Sequence, residues 1–554
     1  MPWALAADKA AIKDEPLFKE RKWREAETHY ARKLIEFAES KGPKSDRELI
    51  RLVLCHDIGR YFRQMTDEAA ASLTAWLLDE PDFAAMLLGA FRPEDSPPRA
   101  FQVLGQLLSQ FGPRSVLGFP GLAIAHAVVW DAERPISKKF TAADSFGFYA
   151  ANAGQMEFDL AHMPYEAALF LACTEASPQE RLWAAATYRG SKALSTIFHT
   201  PPYDMPFLLG GPKKIDGHEY TLPNLVQYGG VCGDRAYFAA NVVRSLGIPA
   251  ARISGQGERG GHAWIGYLRS ARGYRFTWDL TCGRYEFDRY YTGVTLDPQT
   301  RQLVADYELA MKTMQCNLSD DKVRAADCYG FLARVLEEAK KFALTQWGID
   351  QALKSNRFNL AAWDQAIRLC QKGVFDEAYA ERVLDEALKT FRDELDFCYG
   401  VFHRLVDVIP EAQLRRRQLV HQQALNYFHS RPDLCVAIAE DYGDYLLKIG
   451  RRREAYDVFY SAINSSEPRF VADLAIKFTS TCLKDDDPKR AVTLLKGLIN
   501  AVRKPAYGDP YARTSAWFRL CKCLKDVHTV QRDKRAADAI EAELSRFRAQ
   551  APEG

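Results

Sequence analysis

Apolar residues recur at helical spacing along most of this chain, and that periodicity breaks once, between Pro201 and Pro298. Upstream, from Lys22 to about Thr200, positions such as Leu49, Leu52 and Val53 fall at i, i+3 and i+4. Proline-containing joints at Lys41-Gly42-Pro43 and between Arg92 and Pro98 punctuate that stretch. Within the break Gly, Tyr and Trp become frequent and short period-two runs appear, which is the pattern of strands. After about Arg301 helical periodicity resumes and continues to the C-terminus. The expected fold class is therefore α+β: a mostly helical, multidomain chain with a central α+β core. The expected divisions are 1–200 (helical), 201–300 (the core) and 301–554 (helical), and 554 residues suffice for several cores of roughly 100 to 200 residues each.

The C-terminal region shows a recurring shape of paired helices joined by short polar turns. Gly443, Ala455, Phe459 and Ala462 have the spacing of the small and aromatic positions at which two helices pack closely. Ala491 and Leu495 repeat Ala455 and Phe459 at an interval of 36, and Trp363 with Ala366 marks a weaker unit. Over about Phe342 to Arg548 this resembles degenerate tetratricopeptide-like helix pairs and implies an α-solenoid; a generic helical bundle is the alternative.

Several function classes drop out on composition. The 74 Lys plus Arg against 72 Asp plus Glu leave a formal charge of +2, so neither a nucleic-acid footprint nor a polyacidic character is expected. The longest apolar stretches, Phe83 to Phe91 and Phe119 to Trp130, fall short of the roughly 18 residues of a spanning helix, so no membrane partner is expected. Met1 to Ala7 ends like an A-x-A cleavage site but lacks the basic and apolar regions of a signal peptide. The 12 cysteines are scattered mostly singly, many inside helical patterns, which reads as reduced thiols in a cytoplasm.

Chemistry concentrates in the central island. It contains Tyr228-Gly229-Gly230-Val231-Cys232-Gly233-Asp234-Arg235, then Gly260-Gly261-His262-Ala263-Trp264, then Trp278-Asp279. Ala236, Ala239, Ala240, Val243 and Leu246 follow Cys232 at helical spacing, and Gly247 with Pro249 ends the run, so Cys232 opens a helix. At that position the unpaired N–H groups and the positive end of the helix favour a thiolate, and the Cys232 N–H is an oxyanion donor. Ala251 to Ser254 reads as a strand, Gly255 to Gly261 as a mobile glycine-rich loop, and His262 to Arg269 with Tyr274 to Leu280 as a hairpin. A turn centred between Ala271 and Arg272 places Asp279 opposite Trp264 and on the face of His262, where it can orient the imidazole; a three-residue loop turns it away.

These residues together resemble the catalytic core of the transglutaminase-like superfamily, a branch of the papain-like cysteine enzymes, over roughly residues 205 to 295. The pieces that carry the resemblance are Gly230-Val231-Cys232, the run from Arg244 through Ser245-Leu246-Gly247-Ile248-Pro249-Ala250 to Arg252, Gly261-His262-Ala263-Trp264, and Trp278-Asp279. The resemblance implies Cys232 as nucleophile, His262 as general base and acid, and Asp279 as its orienter. Many members carry an Arg shortly before the Cys where this chain has Tyr228-Gly229-Gly230. Gln227 or Tyr228 then stands in as the second oxyanion donor, and Gln227, Tyr228 and Trp264 are the expected substrate-binding residues. Met163-Pro164-Tyr165-Glu166 and Glu180 to Ala184 resemble the helical segment preceding such a core in bacterial multidomain proteins.

The implied activity is acyl transfer on an amide or peptide bond of a peptide or protein substrate. Water as second nucleophile gives a peptidase or amidase, an amine gives cross-linking, and the resemblance favours hydrolysis. No cofactor or metal is required, and no Ca-binding loop pattern is present. The rival from another class is a catalytically silent scaffold that binds a protein partner on its helical repeat. His56-Asp57, with His29 upstream and Asp131 or Asp144 downstream, mimics the metal dyad of HD-type phosphohydrolases, but a surface His-Asp pair on a helix is the expected state. Cys521-Lys522-Cys523 with His528 reads as packing, and the Arg415 to Arg417 and Arg451 to Arg453 triplets as solvated helix faces.

Overall fold

A computed structural model shows a mostly helical chain with one small antiparallel sheet. It describes residues 9–40, 44–65, 68–132, 136–190, 194–208, 210–257, 260–271, 275–285, 292–410, 412–467, 470–485, 487–509 and 512–548. The Lys41-Gly42-Pro43 joint, the Met1 to Ala7 stretch, part of the expected glycine-rich loop, and Arg272 and Tyr274 of the expected hairpin lie outside the described residues. The chain divides into two compact units. The first comprises Met1–Ser254, Ala263–Arg284 and Gly293–Val374; the second comprises Gly255–His262, Tyr285–Thr292 and Phe375–Gly554. The island is divided between them: Cys232, Trp264 and Asp279 fall in the first unit, which extends past residue 300 to Val374, and His262 falls in the second. No described helix is long and apolar enough to cross a membrane.

The sheet has five strands, β1 (Ala250–Gly257), β2 (Gly260–Ala271), β3 (Arg275–Cys282), β4 (Val294–Leu296) and β5 (Leu303–Ala305), in the order β3-β2-β1-β4-β5. β4 and β5 have three residues each, too few to show a period of two. The expected loop from Gly255 is instead strand as far as Gly257 and again from Gly260.

The expected hairpin register does not form. Ala271 pairs with Arg275, so three residues rather than two join β2 to β3, and Asp279 lies opposite Tyr267, not Trp264. An odd connection reverses the parity of the pairing, which moves Asp279 to the other set of neighbours. A bulge between Ile265 and Tyr267 then shifts the register again and leaves Ile265 opposite Cys282.

Both faces of the β2–β3 hairpin are covered. Leu268, Phe276, Trp278 and Leu280 pack into the core of the N-terminal helices, with Trp278 edge-on to Phe170 at 5.1 Å and Phe276 stacked on Phe158 at 5.9 Å. Ile265, Tyr267 and Cys282 pack with Ala236, Ala239, Ala240 and Val243 of the Cys232–Ser245 helix. Polar ties hold that helix to the N-terminal region. Tyr149 Oη donates to Arg244 O at 3.2 Å, Arg244 Nη1 donates to Cys173 O at 3.3 Å, and Asn241 Oδ1 accepts from Thr174 Oγ1 and Glu175 N at 3.1 Å.

In the second unit successive helices meet their neighbours. Gly443 on the Pro432–Lys448 helix lies so close to the Phe459 ring of the Arg452–Ser465 helix that a Cβ there would be 2.1 Å from Cε1. Ionic and hydrogen-bonded contacts link alternate helices: Tyr399 and His403 to Asp441, Lys477 to Glu440 and Asp444, and Arg519 to Asp473. One expectation here is corrected. Arg417 is buried rather than solvated, with Nε and Nη2 donating to Ile409 O and its guanidinium 4.5 Å from the Tyr445 ring centre. A guanidinium stacked on a ring and hydrogen-bonded to a carbonyl tolerates an interior position.

His126 is the most deeply buried imidazole of the first unit, with Nδ1 2.8 Å from Leu122 O and Nε2 3.0 Å from Ser145 Oγ. Burial pushes its pKa down from the usual 6.5 to about 4, and the nearby Arg181 adds to the shift. The unfolded chain therefore binds this proton more readily than the folded one. The stabilisation is complete above pH 6.5 and is lost as pH falls through about 4. We expect His126→Gln to remove a pH dependence worth up to about 3 kcal/mol, read as the wild-type minus variant difference in denaturant-unfolding free energy.

Candidate active site

The Cys232–Ser245 helix starts from a corner that glycines make possible. Gly229 ends the Leu222–Tyr228 helix at φ 83, and a Cβ on it would lie 2.4 Å from the Pro202 carbonyl oxygen. A Cβ on Gly230 would lie 2.3 Å from Asp234 Cβ. Gly230 N–H donates to Pro202 O at 3.0 Å, and Asp204 N–H donates to Gly230 O at 3.1 Å. The Tyr228-Gly229-Gly230 stretch thus serves a close backbone approach, which explains why no long side chain occupies it.

Asp234 closes the corner. Its buried carboxylate accepts the Val231 N–H at 3.0 Å, the Tyr220 hydroxyl at 2.9 Å and Lys213 Nζ at 3.2 Å. An acid at the third helical position that reaches back to the N-cap backbone is a capping arrangement, and its charge suits the positive end of the helix. The sequence reading missed this role, although Gly-Val followed three residues later by Asp is a visible cap signal.

Cys232 is the first residue of the helix and is half-exposed. None of the twelve cysteines is in a disulfide. Cys55, Cys282, Cys328, Cys370, Cys398, Cys482 and Cys521 are buried. For the half-buried Cys173, Cys316, Cys435 and Cys523, burial pushes the thiol pKa up. Of the twelve, Cys232 alone combines partial exposure with the start of a helix, where the first N–H groups lack intrahelical acceptors.

The other expected site residues are distributed unevenly. Gln227 is exposed, and the half-buried Tyr228 ring stacks on His218 at 4.0 Å. Trp264 is a core residue, 2% exposed, with Nε1 donating to Leu280 O at 2.9 Å and the Arg284 guanidinium over its ring. His262, near the start of β2, is buried and stacks on the exposed Tyr285 at 4.1 Å. Tyr285 is a neighbour the sequence did not reveal, because nothing in its spacing ties it to His262.

Asp279 is occupied elsewhere. Its Oδ1 accepts from Thr281 N at 3.0 Å and Thr281 Oγ1 at 2.7 Å, its Oδ2 accepts from Tyr267 Oη at 3.3 Å, and Arg269 Nη1 lies 3.6 Å away. These partners follow from the register: Tyr267 is directly opposite and Arg269 is the next residue on the same face.

The metal-like motif also departs from expectation. His56 and Asp57 are buried rather than on a surface, 3.0 Å apart between Nδ1 and Oδ1, while His29 is exposed. Asp131 accepts the Ser96 N–H and Asp144 closes a capping box on Thr141. Among the described residues no group of three or more His, Cys, Asp or Glu is arranged to hold a metal. No protein-family model, curated protein or solved structure matches this chain.

Asp234→Ala leaves the Val231 N–H, Tyr220 and Lys213 without their shared acceptor and is expected to cost about 2 kcal/mol, from a lost cap and an unpaired buried donor. Gly230→Ala is expected to cost as much through the clash with Asp234. Denaturant unfolding of the two variants checks both.

Proposed function

We propose that the chain is a cysteine-nucleophile acyl-transfer enzyme of transglutaminase-like type, acting on an amide or peptide bond, with hydrolysis as the main outcome. The observation that carries the reading is the placement of Cys232: a partly exposed thiol at the first position of a helix whose start is held rigid by Gly229, Gly230 and Asp234. Such a thiol ionises more readily than one in an apolar interior.

In the proposed reaction His262 takes the Cys232 proton and the thiolate attacks the amide carbonyl carbon. Backbone N–H groups at the helix start stabilise the tetrahedral oxyanion. The C–N bond then breaks as His262 returns the proton to the leaving amine. Water, deprotonated by His262, attacks the thioester, the C–S bond breaks, and the acid is released with the thiol reformed. An amine in place of water gives the transfer product. Gln227 and Tyr228, shortly before Cys232 in the chain, are the proposed substrate contacts. No metal or cofactor enters this scheme, and a peptide or protein amide is the proposed substrate.

One observation favours the rival reading of a silent scaffold. Asp279, the expected orienter of His262, has both carboxylate oxygens engaged by Thr281 and Tyr267. The proposal accordingly gives Asp279 no share in activating Cys232.

Mapping of iodoacetamide adducts at about pH 6 separates the two readings. The enzyme reading expects Cys232 to label at least about tenfold faster than any other cysteine, His262→Ala to abolish that preference, and Asp279→Asn to stay within about threefold of wild type. Equal, slow labelling of all twelve cysteines would establish the scaffold reading.

A further inference from the structure

A cavity of about 210 Å³ in the first unit is enclosed by three chain segments far apart in sequence. They are the approach to the Pro97–Gly118 helix, the residues Asp131 and Ala132 that follow the Pro120–Val129 helix, and the turn that joins β4 to β5. Hydrogen bonds stitch these segments together. Asp131 Oδ2 accepts the Ser96 N–H at 2.6 Å, and Arg301 Nη2 donates to Val129 O at 2.9 Å. Gln299 Nε2 donates to Ala90 O at 2.8 Å and to Asp95 Oδ2 at 2.7 Å, and Gln302 Nε2 donates to Glu94 Oε1 at 2.9 Å. The β4–β5 turn is itself braced, with Asp297 Oδ1 accepting the N–H groups of Gln299 at 2.9 Å and Thr300 at 3.0 Å. The walls are thus held in place by the protein's own contacts.

The lining carries both signs of charge. Asp131 and Gln299 are buried, 3% and 6% exposed, Arg99 and Arg301 are half-buried, and Glu94 reaches solvent. Two acids and two arginines leave the lining without net charge, and Ala132 alone among the lining residues is apolar. Two further polar groups belong to it. Ser96 makes no side-chain cap bond to the helix it precedes, and Gln299 commits its amide N–H bonds to Ala90 and Asp95, so a hydroxyl and an amide oxygen remain for a ligand. Burial pushes the Asp131 carboxyl up against the opposing pull of the Ser96 N–H, Arg301 and Arg99. The buried acid and both arginines therefore act on one another across a small volume.

That composition selects the class of ligand. A simple anion would meet Asp131 and a simple cation would meet two arginines, so either would be opposed by part of the lining. A molecule that carries both signs a few ångströms apart suits the acid and the bases together. The volume lies below the roughly 300 to 1,000 Å³ of drug-sized sites, which restricts the occupant to a small metabolite. We propose that this cavity binds a free α-amino acid with a small polar side chain, its carboxylate on Arg99 and Arg301 and its ammonium on Asp131. Charge-assisted hydrogen bonds of this kind are shorter and stronger than neutral ones. The Ser96 hydroxyl donates to the carboxylate, Gln299 Oε1 accepts from the ammonium, and Thr300 and Glu94 are left for the side chain. The site shares no residue with the Cys232 corner and does not rest on the proposed acyl transfer.

Isothermal titration of the full chain with L-serine, ethanolamine and 3-hydroxypropanoate tests the proposal. Ethanolamine lacks the carboxylate, 3-hydroxypropanoate lacks the ammonium, and none of the three has an amide bond that the proposed enzyme could cleave. Serine is expected to bind, and each analogue to bind at least about tenfold more weakly, the loss for one charge-assisted contact. Arg99→Met should narrow the preference for serine over ethanolamine at least about threefold, and Asp131→Asn the preference for serine over 3-hydroxypropanoate by as much. No binding of serine up to about 20 mM, equal binding of all three ligands, preferences unchanged in both variants, or tighter binding of inorganic phosphate than of serine would each overturn it. If a variant fails to fold, the three-ligand series on the wild-type chain still decides.

Discussion

The Cys232–Ser245 helix is covered on nearly every side, and that constraint organises the first unit. From Asp234 onward its buried positions include Asn241, Arg244 and Ser245 as well as the alanines and valines. A polar group without a partner in such a place costs several kcal/mol, so each must find one. Asn241 takes donors from Thr174 and Glu175, Ser245 donates to Asn241 O, and Arg244 bridges Ala250 O and Cys173 O. The helix is thereby fixed in both position and rotation, and Gly247 at φ 77 stops it where the chain must turn into β1. Cys232 inherits that rigidity. A side chain at the first position of such a helix has little freedom.

How far the sequence could be read depends on the range of the interactions involved. The opening of the helix at Cys232, its stop at Gly247 and the presence of strands after it rest on contacts a few residues apart, and those features were legible. The pairing of β2 with β3 was not, because a single extra residue in the connection reverses which side chains face each other, and composition does not count that residue. Asp279 shows the consequence. Its identity and its place after Trp278 matched the resemblance, yet register gave it Tyr267 and Arg269 as neighbours. Burial of polar residues was equally hard to foresee. Arg417 and the His56-Asp57 pair read as surface features, and each is interior because distant segments supply a ring or a carbonyl.

The two units solve the burial problem in different ways. In the first, a few polar side chains are sunk deep and tied by hydrogen bonds between segments far apart in sequence, such as Tyr149 to Arg244 O and Gln299 to Ala90 O. In the second, Gly443 packs against the Phe459 ring of the next helix, and the ionic links between helices stand at partly exposed positions. Exposed pairs contribute about 0 to 1 kcal/mol each, so these links add little to what holds the helices together. Stability there resides in the apolar seam formed by Ala455, Phe459, Phe478, Leu495 and their neighbours.

This contrast bears on where ligand chemistry can develop. The second unit places its ionic links between helices at partly exposed positions. The first unit instead brings segments distant in sequence together, as where Asn359 donates to Asp327 and Gln315 to Glu166, and burial there raises the pKa of both carboxyls. Electrostatic interactions gain strength in such places, since the local dielectric is lower than that of water.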